Sequence, residues 1–122
     1  MVRAGGSILL TIPWSARLHH LPHDYRRLTR YGLVALVRAA GFDGIRVEER
    51  GNDVAVVANK LIVMLIRLII PKPAIRLAWT WPLALLLAPV AIAFLVAAHV
   101  ALIFGLGSRD DPLGYGMVAF KL

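Results

Sequence analysis

His19, His20, His23, Asp24, Tyr25 and Arg27 crowd into nine residues of a chain that holds only four histidines in 122 positions. An imidazole titrates near neutrality, and a carboxylate takes a proton or steers a neighbouring cation, so the run has parts for general-base chemistry or for gripping a polar acceptor. On those grounds His19, His20, His23 and Asp24 are the candidate acceptor or base positions, and Tyr25 and Arg27 the candidate substrate contacts. A zinc site is a poor fit, because Pro22 lies inside the run and the chain has no cysteine to add a fourth ligand. No metal is assigned. Each residue also has a plain structural use: Asp24 can cap a turn or pair with Arg27, Tyr25 can pack, and the histidines can sit in solvent.

The flanking elements must hold this run in place. Before it, Ser7-Ile-Leu-Leu-Thr-Ile-Pro13 is a near-continuous apolar stretch, the pattern of a strand buried on both faces inside a parallel sheet. Leu21-Pro22 forces a turn or extended backbone. After it, Thr29 stands as the N-cap of a helix with Leu33, Leu36, Val37 and Ala40 on its apolar face. Gly41 fits the left-handed position that ends such a helix, and Phe42 folds back onto Val37. Gly44–Glu49 alternates as a half-buried strand, and Tyr115–Phe120 is a closing one. Three strand candidates are few for a strand that needs partners on both sides.

Composition separates a basic head from an apolar segment. Hydrophobic residues make up 59% of the chain and the net charge is +7. No Asp, Glu, Lys or Arg occurs from Leu77 to Gly107, whereas twelve of the fourteen Lys and Arg lie before that stretch. The arginines are scattered without the interleaved aromatics of a nucleic-acid surface, so no nucleic acid is expected and a membrane surface is the better partner. With no cysteine the redox compartment is open. Val54–Ile70 reads as a helix with a charged stripe (Lys60, Arg67), stopped by Pro71-Lys-Pro73, and Leu83–Leu106 is long enough to cross a bilayer although Pro89 interrupts it. His99, alone in that run, reads as a hydrogen-bonded buried residue or one near the interface.

The order of elements resembles the C-terminal part of class I S-adenosylmethionine-dependent methyltransferases. Val2-Arg-Ala-Gly-Gly-Ser-Ile-Leu-Leu-Thr-Ile-Pro13 is similar to the family's Gly-Gly turn and fifth strand. His20-x-x-His23-Asp24-Tyr25-x-Arg27-x-Thr29-x-x-Gly32-Leu33, running on to Ala40-Gly41-Phe42, is similar to the motif of one branch. That branch's histidine falls at either His19 or His20, and Leu28 stands where it carries an aromatic residue. Leu113-Gly-Tyr-x-x-Val118-Ala-x-Lys121 looks like its last antiparallel strand.

The resemblance implies an α/β fold: a partial Rossmann-like methyltransferase sheet, made of one buried strand, a helix and a terminal antiparallel strand pair, with a long hydrophobic helical insertion. It divides the chain into a methyltransferase-like βαβ part (1–53), the insertion (54–108) and the closing strand (109–122). It implies S-adenosylmethionine as cofactor, bound by an N-terminal half outside this sequence, and an acceptor met by the loop after the first strand; the apolar insertion makes a lipid-linked or amphiphilic acceptor near a membrane the expectation. A separate N-terminal half or a second copy of the chain is the expected protein partner.

If the closing strand pairs with Gly44–Glu49, both ends of the insertion emerge on one side of a membrane, which favours a helical hairpin set into one leaflet with Lys72, Arg76, Trp79 and Trp81 near the headgroups. The location expected is then the cytoplasmic face of a membrane. The alternative is a small membrane protein with a basic cytoplasmic head and one transmembrane helix over 83–106. A lid packed on protein is the remaining option for the insertion.

Overall fold

The computed structural model describes residues 2–17 and 21–122. Its elements run β1 (Ser7–Pro13), α1 (Arg30–Ala39), β2 (Phe42–Arg50), α2 (Asp53–Ile69), a short 3-10 turn (Ala74–Arg76), α3 (Leu77–Phe104) and β3 (Gly114–Lys121). The chain forms a small α/β fold with a three-stranded antiparallel sheet and three helices, one of them long and apolar. It divides into two compact units, Met1–Arg50 with Pro112–Leu122, and Gly51–Asp111.

In the first unit β3 is the middle strand, antiparallel to both neighbours in the order β1-β3-β2. Strand alternation then sorts the side chains onto two faces. Ile8, Leu10 and Ile12 of β1, Tyr115, Met117 and Ala119 of β3 and Val47 of β2 share the face that packs against Leu33 and Val37 of α1. Met117 sits at the centre, opposite Leu10 on one side and Val47 on the other, and is 1% exposed. The opposite face carries Leu9, Val118 and Phe120, and Leu9 is 75% exposed.

The sequence expectation for β1 is thereby corrected. It is an edge strand with alternating exposure, paired only with β3, rather than a strand buried on both faces of a parallel sheet. Continuous hydrophobicity reports that both faces could be covered; it does not supply the cover.

Helix α1 forms where its cap and its spacing require. The Thr29 hydroxyl accepts from the Gly32 amide, and the helix ends at Ala40 with Gly41 at φ +78°, a backbone position that glycine occupies without strain. Lys121 closes the same end, donating from Nζ to the Ala40 carbonyl at 2.8 Å while its ammonium lies 4.9 Å from the Phe42 ring centre. A cation at a helix C-terminus is favoured by the dipole there. Within the expected apolar face Leu33 and Val37 are buried but Leu36 is exposed; Val34 packs on the core in its place.

The second unit is a helical hairpin. Asn52 caps α2 by accepting from the Ala55 amide at 2.9 Å and donates to the Leu106 carbonyl at 2.7 Å. Asp53 and Ser108 are tied twice: the Asp53 amide donates to the Ser108 carbonyl, and the Ser108 amide to the Asp53 carboxylate, both at 3.0 Å. Both ends of the insertion therefore meet at one base. The seam between the helices is built of small residues: Ala84, Ala91, Ala98 and Ala101 of α3 are buried with Ala55, Val56 and Ala58 of α2. Pro82 and Pro89 lie inside α3, which continues through both, and Trp79 and Trp81 belong to the helix rather than leading into it. The run Ala74–Phe104 has a mean hydropathy of 2.5 and is 17% buried over its most apolar window. It is one long apolar, largely exposed helix.

Candidate functional site

The loop that leaves β1 at Pro13 and enters α1 at Arg30 carries the candidate chemistry. His19 and His20 lie outside the described residues. His23, Asp24, Tyr25 and Arg27 come together as two adjoining pairs. The His23 imidazole and the Tyr25 hydroxyl share a hydrogen bond at 2.8 Å through Nδ1, with the rings edge to face at 5.8 Å. In the tautomer where Nδ1 carries the proton and donates to the Tyr25 oxygen, Nε2 keeps its lone pair and can accept a proton.

Asp24 and Arg27 form the second pair. Both guanidinium nitrogens reach the carboxylate, Nη1 to Oδ1 and Nη2 to Oδ2, the latter at 2.6 Å. The hydrogen bond that Arg27 donates to Asp24 holds the guanidinium above its ordinary range; desolvation opposes this and the charge of Asp24 adds to it. Nη2 also reaches the Arg17 carbonyl at 3.4 Å, so the pair ties the start of the loop to its end. Asp24 is thus engaged in holding the loop, while His23 is the group with a ring nitrogen to spare. Asp24 does not cap a helix, since none begins there.

An open depression of about 500 Å³ is lined by His23, Asp24, Tyr25 and Arg26. Arg26 is the member that the sequence reading left out of the site; its only signal was position between Tyr25 and Arg27. The arrangement offers an imidazole to take a proton, a phenol that fixes the ring, and a guanidinium at the rim for an anionic group. Among the described residues no group of three or more His, Asp or Glu is placed to hold a metal ion. His99 is exposed rather than buried, and its ring Nδ1 donates to the Leu95 carbonyl at 2.7 Å.

The residues present do not fit S-adenosylmethionine. A cofactor of that kind needs backbone brought close to it by a Gly-rich turn between a strand and a helix. The nearest pattern, Gly105-Leu-Gly107, follows a helix instead, and Gly105 at φ +67° is the terminator of α3. The fold defines a class, a small α/β unit carrying an apolar helical hairpin. Compared with known proteins, the chain matches no family model, no curated protein and no solved structure.

Proposed function

We propose that the chain is the acceptor-side half of an S-adenosylmethionine-dependent methyltransferase, working at the cytoplasmic face of a membrane on a lipid-linked or other amphiphilic acceptor, with the cofactor held by residues outside these 122. The observation that carries this reading is the bare edge of β1. Its backbone groups at Ser7, Leu9 and Thr11 alternate with those that bond to β3 and so face outward. The strand holds no charge, and Leu9 stands open on the uncovered face.

The other edge is built differently. Strand β2 carries Asp43, Arg46, Glu48, Glu49 and Arg50 and an irregularity between Asp43 and Arg46, the devices that keep an edge from pairing. One edge is closed and one is left to be continued. In a sheet extended beyond β1, the loop holding His23 and Tyr25 lies at the carboxyl end of a strand, where open α/β sheets bind ligands. There His23 takes the acceptor's proton, Tyr25 fixes the imidazole, and Arg26 and Arg27 meet negative charge.

The membrane part of the reading rests on the hairpin's inverted packing. Its buried seam is alanine, while Leu85, Ile92, Ile103 and Phe104 point outward. In water the large side chains belong inside; against hydrocarbon the small ones let helices approach and the large ones meet lipid. The hydrogen bonds joining Asp53 to Ser108 argue for a one-sided hairpin over a single transmembrane pass, which needs those residues on opposite sides.

Calorimetry of the chain alone with S-adenosylmethionine is expected to show no binding; micromolar affinity overturns the assignment of the cofactor to a partner half. The positive test is transfer of a labelled methyl group to lipid-extractable material in membranes that contain the chain together with the product of the reading frame just upstream of it. Transfer that disappears with His23→Ala supports the reading, and no transfer with both proteins present sinks it.

A further inference from the structure

Three cations meet at the turn of the hairpin with nothing to neutralise them. Arg67 in the last turn of α2, Lys72 in the connection and Arg76 at the start of α3 line one open pocket of about 390 Å³, together with Ile70, Pro71 and Thr80. None of the three forms an ion pair or a side-chain hydrogen bond among the described residues. The sequence explains why: Val54 to Arg109 contains no Asp or Glu, so no carboxylate of the hairpin lies nearer than its base. The pocket also sits where α3 begins, and the cap residue of that helix supplies no side-chain acceptor for its first amides. The end of α2 lies beside it with the opposite dipole, so the side-chain charges set the sign of the site.

A second, apolar pocket is built from the same two helices. Met64 and Leu68 of α2 and Leu83, Leu86 and Leu87 of α3 line a groove of about 390 Å³ one helical turn further along the hairpin. The spacing places both on one side: Arg67 and Met64 are three apart on α2, and Thr80, Leu83 and Leu87 follow at three and seven on α3. A cationic pocket with a groove of leucines one helical turn away has the chemistry of an acidic amphiphile, a phosphate group with a hydrocarbon tail. Trp79, 80% exposed, and Trp81, 50% exposed, follow directly, and indole rings favour the headgroup level of a bilayer.

We propose that the hairpin tip is a binding site for the phosphate headgroup of an anionic lipid, with Arg67, Lys72 and Arg76 on the phosphate and the Met64–Leu87 groove on the first part of an acyl chain. The proposal rests on the membrane placement of the hairpin argued above. Phosphate is the shared chemistry of a lipid headgroup and a soluble phosphate ester; the leucine groove is what selects the lipid.

The test uses the full chain and vesicle flotation, with phosphatidylcholine alone and with the same lipid mixed with phosphatidic acid. Binding is expected to both, and tighter to the anionic vesicles. Arg67→Gln, Lys72→Gln and Arg76→Gln together are expected to remove that preference, about 5-fold per cation and roughly 100-fold for all three, while binding to phosphatidylcholine stays as it was. A comparison variant, Arg3→Gln, Arg38→Gln and Arg109→Gln, has the same net charge and should keep most of the preference. Equal loss in the two variants reduces the effect to net charge and overturns the site. Displacement by soluble glycerol phosphate at constant ionic strength overturns the choice of a lipid. Wild-type binding that is equal on both vesicle types also overturns the site but leaves the hairpin's membrane placement standing, whereas no binding to either type removes both.

Discussion

Exchanging large for small on the two sides of α3 separates lipid from protein as the surroundings of the hairpin. Leu85 is 69% exposed, and Leu85→Ala deletes three carbons. At about 0.8 kcal/mol per CH₂ the full loss on transfer is about 2.4 kcal/mol, and scaled by the exposed fraction about 1.7 kcal/mol, which is roughly 15-fold in vesicle partition. Ala91→Leu works the other way. Ala91 is 2% exposed in the seam against α2, and four-carbon bulk there costs about 1–3 kcal/mol of helix packing. It leaves the lipid-facing surface intact, so its partition should hold.

The two readouts are flotation on phosphatidylcholine vesicles and amide exchange along α2 in the same vesicles. Leu85→Ala is expected to lower partition with α2 protection unchanged, and Ala91→Leu to speed exchange in α2 with partition unchanged. If Leu85→Ala partitions like the wild type, the outward leucines do not face hydrocarbon, and the argument from inverted packing fails. If Ala91→Leu is silent in exchange, the alanine seam is not what joins the helices.

Smaller perturbations test the local structure. Asn52→Ala removes an N-cap and leaves the Leu106 carbonyl without its donor, at about 2 kcal/mol in thermal unfolding; Asn52→Asp restores the cap alone and should recover about half. Gly41→Ala places a Cβ at φ +78° and 2.8 Å from the Lys121 ammonium, so a loss of about 1–2 kcal/mol is expected, with the lysine moving aside. Arg27, raised above its ordinary value by Asp24, contributes fully below the unfolded arginine range and is lost only above the raised one. Guanidinium resonances of Arg27 should therefore hold unchanged from neutrality to about pH 11, and loss of the pair within that window would show that the carboxylate is not its partner.

What the sequence disclosed was local, and what it withheld was context. Thr29, Gly41 and the apolar spacing between them contain the whole instruction for α1, because capping and periodicity need only neighbours in the chain. Asn52 bears a cap signal just as local, an Asn before an apolar helical run, and it caps α2. The environment of β1 was not legible, since a run of mostly apolar residues says nothing about which partners arrive. Pro89 suggested a break that the structure does not make: α3 runs unbroken from Leu77 to Phe104. At the candidate site the Asp24–Arg27 pair was foreseeable from spacing, while the His23–Tyr25 pair was not.

Charge is the place where structure most changes the meaning of the sequence. By composition the positive charge belongs to the head, with the apolar segment as its anchor. In the structure, however, several cations of the sheet unit are already occupied: Arg27 by Asp24, Arg30 by Glu49 at 2.5 Å, and Lys121 by the end of α1. Those groups hold a loop, a helix start and a helix end, and two of the three charges are met by carboxylates. The hairpin has fewer cations but no carboxylate beyond its base, and three of them converge on one pocket beside exposed indoles. A membrane surface responds to unneutralised charge within a Debye length, not to the count along the chain. The two triple variants of the vesicle test therefore decide between the tip and the head: a preference for anionic vesicles that survives loss of Arg3, Arg38 and Arg109 but not of Arg67, Lys72 and Arg76 assigns it to the tip.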